Sequence, residues 1–197
     1  MTIPEYDDPI DLLRIWLGDA EASETINPNA MALTTVSEDG RPSIRTILLK
    51  DVDNGGCLVF YTNLKSKKGR ELEARSVAAA CFYWRDLGRQ ICVEGKISLV
   101  DAAEADSYFA SRPRGSQIGA WASEQSRVLE HRDTLEHAVE ELTQRYEGQE
   151  VPRPPHWSGF RLDPMRIEFW QSQPSRLHYR LSYDREGDDW SRCWLYP

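Results

Sequence analysis

The sequence predicts a mainly β fold with peripheral helices: an antiparallel barrel, closed or split, in one domain over residues 1–197. Three observations predict it. Short apolar runs recur along the chain between tight-turn signals at Ser37-Glu38-Asp39-Gly40, Asn54-Gly55-Gly56 and Asp86-Leu87-Gly88. Strand-like and helix-like segments do not alternate regularly, and no Gly-rich turn joins a strand to a helix, which argues against a doubly wound α/β fold. The 197 residues suffice for one substantial core. The proline-rich connector Val151-Pro152-Arg153-Pro154-Pro155 is too short to separate two domains.

Each element has a local reason. Asp8 caps a first helix and Pro9 suits its first position. Ile10, Leu13, Trp16 and Leu17 then share one stripe, with Gly18 near its end. Residues 32–36 and 43–50 read as a hairpin around the first turn, and residues 57–62 as a strand after the second. Ser66 caps a short helix running through Lys68 and Leu72. Residues 77–84 and 90–100 are strands around the third turn. Asp101-Ala102-Ala103-Glu104 is a capping-box-like start to a helix reaching about Ser111. Residues 127–146 read as mostly helical with a mixed-charge exposed face. Residues 160–162, 166–170, 176–183 and 190–195 complete the strands.

Composition narrows the function. A net charge of −8 argues against a general nucleic-acid binder. No apolar run is long enough to span a bilayer. The opening Met1-Thr2-Ile3-Pro4-Glu5-Tyr6 has neither a basic n-region nor an apolar h-region, so no signal peptide and a cytoplasmic location are expected. Cys57, Cys81, Cys92 and Cys193 have no close-pair spacing and read as small buried hydrophobes in a reducing compartment. His131, His137, His156 and His178 form no metal-ligand pattern, so no metal is expected.

One stretch stands out in this acidic chain. In Arg176-Leu177-His178-Tyr179-Arg180, read as a strand, Arg176, His178 and Arg180 point to one face. Such a stripe suits an anionic ligand or is a solvated face. Other basic residues recur at element ends: Arg45 and Lys50 on one strand, Lys67 and Lys68 at a helix start, Arg112 and Arg114 after a helix. Ser66, Ser111, Ser116, Gln117, Gln125 and Ser126 accompany them. Helix starts with Ser and Lys are natural phosphate sites. No nucleophile–base set and no paired carboxylates stand out, which leaves the chemistry to a bound cofactor. The residues alone thus reach a phosphorylated, planar ligand, with oxidation–reduction as one possibility.

A set of motifs in order then becomes recognisable: Arg45-Thr46-Ile47-Leu48-Leu49-Lys50, Phe60-Tyr61-Thr62-Asn63, Ser66-Lys67-Lys68-Gly69, Arg89-Gln90, Tyr108-Phe109-Ala110-Ser111-Arg112-Pro113-Arg114, Ser116-Gln117-Ile118-Gly119, Gln125-Ser126, Trp157-Ser158-Gly159-Phe160, Ile167-Glu168-Phe169-Trp170 and Arg176-Leu177-His178. With them the chain resembles the pyridoxamine 5′-phosphate oxidase family from about Pro9 to Pro197. The resemblance implies an FMN-binding split β-barrel, a homodimer with FMN at each subunit interface, and a C-terminal dimerisation and substrate-binding region over about residues 157–197. It implies oxidation of pyridoxamine or pyridoxine 5′-phosphate by dioxygen to pyridoxal 5′-phosphate, with release of hydrogen peroxide.

Carried over residue by residue, the resemblance assigns FMN contacts to Arg45, Thr46, Ile47, Leu48, Leu49, Lys50, Tyr61, Thr62, Lys67, Lys68, Gln90, Gln125, Ser126, Trp170 and Arg180. Arg45 and Lys68 suit the FMN phosphate, and Gln90 the polar flavin edge. Substrate contacts fall on Lys50, Tyr108, Arg112, Ser116, Arg176 and His178, with Arg176 and His178 as the catalytic pair against the pyridine ring. Tyr108 and Arg112 are spaced to share a helix face. Three positions depart from the family: Lys67 stands where Arg is usual, Tyr179 where Asp is usual, and Trp194 where Arg is usual. Arg45 and Lys50 have opposite parity in an ideal strand, so a bulge or an early strand end is expected between them. Two other readings stay open: a related flavin oxidase of the phenazine-biosynthesis type, and a protein that holds FMN or pyridoxal phosphate without turnover.

Overall fold

A computed structural model describes residues 2–23 and 26–197; Met1, the first residue of the segment read as lacking a signal sequence, lies outside them. The chain runs α1 (Pro9–Ala22), β1 (Ala30–Val36), β2 (Pro42–Leu48), β3 (Asp51–Val52), β4 (Leu58–Asn63), α2 (Lys67–Ala74), β5 (Val77–Trp84), β6 (Arg89–Leu99), α3 (Ala102–Ser111), α4 (Arg114–Ala122), α5 (Arg132–Arg145), β7 (Trp157–Gln171), β8 (Tyr179–Glu186) and β9 (Asp189–Trp194). The strands form one antiparallel sheet of order β2-β1-β5-β6-β7-β4-β3, with β8 and β9 branching from β7. β2 and β3 lie at opposite ends of that order, yet only Leu49 and Lys50 separate them in the chain. The sheet must therefore curl until its ends meet, which makes it a split barrel.

β7 is where the sheet divides. One edge pairs with β6 along its length. The other pairs with β4 through residues 157–162 and with β8 through residues 166–171. The sequence reading broke this strand at Asp163-Pro164. The structure keeps it whole by shifting the β6–β7 register between Glu94 and Gly95. A bulge of this kind accommodates a proline inside a sheet. A Cβ on Gly95 would lie 2.0 Å from the Asp163 carbonyl oxygen, so only glycine fits there.

The inward face of the sheet forms the core. Leu33, Ala80, Phe82, Ile91, Val93, Ile167, Phe169, Leu181 and Tyr183 alternate along their strands and are buried. α1 plugs the core with Leu12, Leu13, Trp16 and Ala20, and the Trp16 ring meets Phe169 edge-on at 5.3 Å. Its cap is the expected one: the Asp8 carboxylate accepts from Ile10 N. Gly18 does not end α1, which continues to Ala22. The Ser66 and Asp101 caps also form, accepting from Gly69 N and Glu104 N.

Other elements differ from the reading in their bounds. β2 stops at Leu48, the early strand end expected before Lys50; Leu49 N bonds the Asn29 carbonyl and Lys50 N the Val59 carbonyl. α4 has no counterpart in the sequence reading, because its apolar stripe is short and its cap, Pro113, makes no side-chain bond. Residues 127–131 are not helical, and α5 begins only at Arg132. Residues 176–178 precede β8: Pro174–Arg176 is a 3₁₀ turn in which Ser175 and Arg176 take φ of 58° and 61°. Arg176, His178 and Arg180 therefore do not form one strand stripe. The cysteines are also more open than expected, with Cys57, Cys81 and Cys92 half-buried and Cys193 exposed. No helix among the described residues is long and apolar enough to cross a membrane. No cluster of three potential metal ligands occurs among them.

Candidate functional site

Where the two ends of the curled sheet meet, a cleft of about 870 Å³ opens between the edge strand β2, strand β4, the start of α2 and the α3–α4 turn. That volume suits a sizeable small molecule. β2 pairs only with β1, so its other backbone edge is available to a planar heteroaromatic ligand. Among the described residues, the lining includes Arg45, Lys50, Lys68 and Arg112 and no carboxylate. In a chain of net charge −8 this concentrates positive charge at one place.

Each cation is held differently. Arg45 donates to the Leu33 carbonyl (3.1 Å), Thr35 Oγ1 (2.6 Å) and Ser43 Oγ (2.6 Å), and pairs with Glu71 at 3.2 Å. Burial pushes the Glu71 carboxyl up, but bonds from Ser43 and Thr35 and the charges of Arg45 and Lys67 hold it below its ordinary value. Arg45 is thus fixed and largely neutralised within the chain. Lys68 is not: its Nζ donates to Gln125 Oε1 (2.9 Å) and Thr62 Oγ1 (3.2 Å), both neutral. Burial, then the Arg45 charge, lower its pKa to about 8. An ammonium so placed lacks a counter-anion among the described residues, and the start of α2 beside it is a place where a phosphate would supply one. Lys50 reaches the same cleft because β2 ends before it, which resolves the parity conflict with Arg45.

The far wall is aromatic. Tyr61 stacks on Tyr108 at 3.9 Å and on Trp157 at 5.3 Å. The Arg112 guanidinium lies 4.8 Å over the Trp157 ring, and its Nη1 is buried with no hydrogen-bond partner among the described residues. Burial lowers its pKa. Ser116 enters the lining from the first turn of α4, and the buried Gln117 ties α4 to the Phe109 and Ala110 carbonyls. The wall depends on Gly159, whose absent Cβ would sit 2.7 Å from two Tyr61 ring carbons. Gly159→Ala is expected to lower stability by about 1–3 kcal/mol through this overpacking, measurable by urea unfolding.

Of the residues singled out in the sequence, Arg45, Thr46, Ile47, Leu48, Lys50, Tyr61, Thr62, Lys68, Tyr108, Arg112, Ser116 and Gln125 line this one cleft. Leu49 turns into the core. Lys67 is exposed and pairs with Glu71 at 3.8 Å, and Ser126, with φ of 72°, adjoins Gln125 outside the lining. A second group lies elsewhere, on the outward face of the sheet. Gln90, Trp170 and Arg180 are register partners across β6, β7 and β8. Arg180 is gripped by Glu168 through two bonds of 2.8 and 2.9 Å and donates to the Tyr196 carbonyl. The His178 ring lies 4.6 Å from Trp170, and its Nδ1 accepts from Gln173 N, placing the proton of the neutral ring on Nε2. Arg176 sits on the adjoining turn. None of this second group lines the cleft of its own chain.

Two departures turn out to be one feature. Tyr179 packs toward the core, and its ring meets Trp194 edge-on at 6.2 Å. They form an aromatic contact on the side away from Arg180. The sequence reading missed the roles of Glu71 and Trp157. Glu71 was signalled by its i,i+4 spacing from Lys67, and Trp157 only by its place in a motif.

The comparisons with known proteins fit this geometry. A family profile described as pyridoxamine 5′-phosphate oxidase matches residues 19–146, and one described as the pyridoxine 5′-phosphate oxidase C-terminal dimerisation region matches residues 157–197. The chain is similar to a pyridoxine/pyridoxamine 5′-phosphate oxidase of Agrobacterium fabrum, 53% identical over 98% of this chain and 94% of the relative. It is similar also to one of Brucella canis, 54% identical over 96% and 94%. Among solved structures, PhzG from Burkholderia lata, in complex with tetrahydrophenazine-1-carboxylic acid, superposes with a TM-score of 0.92 at 37% identity over 98% and 94% of the two chains. An FMN-binding protein from Nostoc punctiforme shares the fold, with a TM-score of 0.77 at 15% identity over 98% and 100%.

Proposed function

The chain belongs to the pyridoxamine 5′-phosphate oxidase family, and from that premise we propose that it oxidises pyridoxamine or pyridoxine 5′-phosphate to pyridoxal 5′-phosphate with FMN and dioxygen. FMN held there would supply the redox chemistry, acceptance of a hydride equivalent from the substrate C4′ and return of two electrons to dioxygen as hydrogen peroxide; with the amine substrate, water would then hydrolyse the imine and release ammonia.

The chain's own residues divide the work. Lys68, the start of α2 and the fixed Arg45 hold the FMN phosphate, and the free edge of β2 faces the flavin. Arg112, Lys50, Tyr108 and Ser116 hold the substrate phosphate. Gln90, Trp170, Arg180, Arg176 and His178 lie off this cleft, so a second copy of the chain supplies them, in keeping with the dimerisation region at residues 157–197. The outward face around them carries exposed Ile44, Val77, Tyr83 and Leu177, an apolar surface suited to a partner. Arg176 and His178 then orient the pyridine ring over the flavin, and alignment of the reacting atoms carries much of the rate.

The observation that carries the reading is the buried Arg112 Nη1, without a partner among the described residues, in a cleft that they line with four cations and no carboxylate. It calls for a phosphorylated substrate. The test compares pyridoxine 5′-phosphate with pyridoxine. The phosphate is expected to raise kcat/KM by at least about 10³-fold, the scale of a lost charge-assisted contact set; equal values would overturn the assignment. The high similarity to PhzG favours a second reading, a carboxylated tricyclic substrate, which the same assay separates.

Lys68 gives the site a pH dependence. Its charged form binds phosphate, and the ligand-free pKa of about 8 means the proton is lost above that pH unless the anion is bound. The complex thus holds more protons than the free protein. FMN affinity is expected to fall about tenfold between pH 7 and pH 9, measured by fluorescence titration. In Lys68→Met the fall should vanish along with most of the affinity.

A further inference from the structure

On the outward face of the sheet, Cys81 on β5 stands directly opposite Cys92 on β6. The phase of that ladder is set by the bond from Ile97 N to the Ser76 carbonyl, which makes Val77 and Lys96 a non-hydrogen-bonded pair. Cys81 and Cys92 fall in the same phase. Such pairs hold their Cα atoms about 4.5 Å apart with side chains close, inside the range of about 4.4–6.8 Å that a disulfide spans. Cys81 Sγ donates to the Phe82 carbonyl at 3.6 Å, and Cys92 Sγ accepts from Gln90 Nε2 at 3.4 Å. Both are half-buried and have no role in the proposed reaction.

We propose that Cys81 and Cys92 form a peroxide-reactive dithiol that closes to a cross-strand disulfide beside Gln90. The Cys81 thiolate attacks one peroxide oxygen, the O–O bond breaks, and one water leaves as Cys81 becomes a sulfenic acid. The Cys92 sulfur then attacks the Cys81 sulfur, the S–O bond breaks, and a second water leaves. Two thiols are oxidised by two electrons and one peroxide is reduced. The division of labour follows the environment: the neighbouring Cys92 thiol lowers the Cys81 pKa, while Cys81, burial and the charges of Glu168 and Glu94 raise that of Cys92. Cys193 lies three strands from Cys92, across Glu168 and Ser182, too far to intercept it. Cys57 is held as a thiol by burial and by Asp53, with a pKa of about 11. The oxidant at hand is the peroxide of the proposed reaction, and to that extent the inference rests on that reading. Closing the disulfide draws the Cys92 sulfur toward Cys81 and disturbs the bond it accepts from Gln90, and FMN binding is expected to weaken about fivefold, the scale of one hydrogen bond.

The test treats the purified full chain, with and without FMN, with added hydrogen peroxide, followed by alkylation, digestion and mass spectrometry. The expected result is loss of two thiols, recovery of a Cys81–Cys92 linked peptide pair lighter by two hydrogen atoms, and reversal by dithiothreitol. In Cys92→Ser the link is lost and Cys81 is trapped by dimedone as the sulfenic acid. Full alkylation of all four cysteines after peroxide, a link between other cysteines, or irreversible oxidation without the link would each overturn the proposal. Since the peroxide is added, a link formed in a protein that shows no flavin chemistry upholds the dithiol and counts against the oxidase reading alone.

Discussion

Replacing Arg112 by alanine is expected to lower kcat/KM for the phosphorylated substrate by about 10²–10³-fold, or about 3–4 kcal/mol, while FMN stays bound. The reason lies in how Arg112 is built in. It caps the C-terminus of α3, its plane lies over Trp157 at 4.8 Å, and its Nη1 is buried without a partner. The Nη1 of that guanidinium has already lost its water, and an anion that reaches it recovers the cost. Most of the loss should appear in KM, since the contact is made in ground state and transition state alike. Arg112→Lys should not restore it, because a point charge does not reproduce the fork or the stacking on Trp157. Steady-state kinetics beside flavin absorbance would check this. Loss of FMN in proportion to activity would contradict it.

Arg176→Ala is expected to lower kcat by about 10²-fold with FMN affinity within twofold of the parent protein, the scale on which misplaced substrate costs rate. Arg176 stands on a turn where two successive non-glycine residues have positive φ, closed by a bond from Leu177 N to the Pro174 carbonyl. Each such residue costs about 1–3 kcal/mol and persists only where its surroundings demand it. The guanidinium itself makes no hydrogen bond or ion pair among the described residues, so alanine removes little that stabilises the fold. Single-turnover flavin reduction separates the two effects. Equal loss of turnover and FMN would contradict a role in holding the substrate.

The sequence carried most of the fold in its local signals. The caps at Asp8, Ser66 and Asp101 and the bounds of β5 formed as read, because each depends on neighbours in the chain. The misreadings share another cause. Asp163-Pro164 looks like a break until the register shift opposite Gly95 is known, and a register shift belongs to two strands at once. Residues 176–178 alternate like a strand, yet the turn at Ser175 and Arg176 takes them out of it. Twelve of the residues that the motifs singled out line one cleft. That the cleft excludes Gln90, Trp170, Arg180, Arg176 and His178 was legible only from the path of the sheet, since strand parity places a residue on a face but not that face relative to β2. Glu71 escaped for a similar reason: its partners Thr35, Ser43 and Arg45 lie far from it in sequence.

The central claim is that this cleft joins FMN to a phosphorylated B6 substrate. Its most direct test is to load the purified protein with FMN, add pyridoxine 5′-phosphate anaerobically, and follow the flavin absorbance before admitting air. The expected result is bleaching of the oxidised flavin, its return on exposure to dioxygen, and one pyridoxal 5′-phosphate formed for each flavin reduced. An oxidised flavin spectrum that survives saturating substrate without bleaching, in protein that holds FMN, would contradict the account.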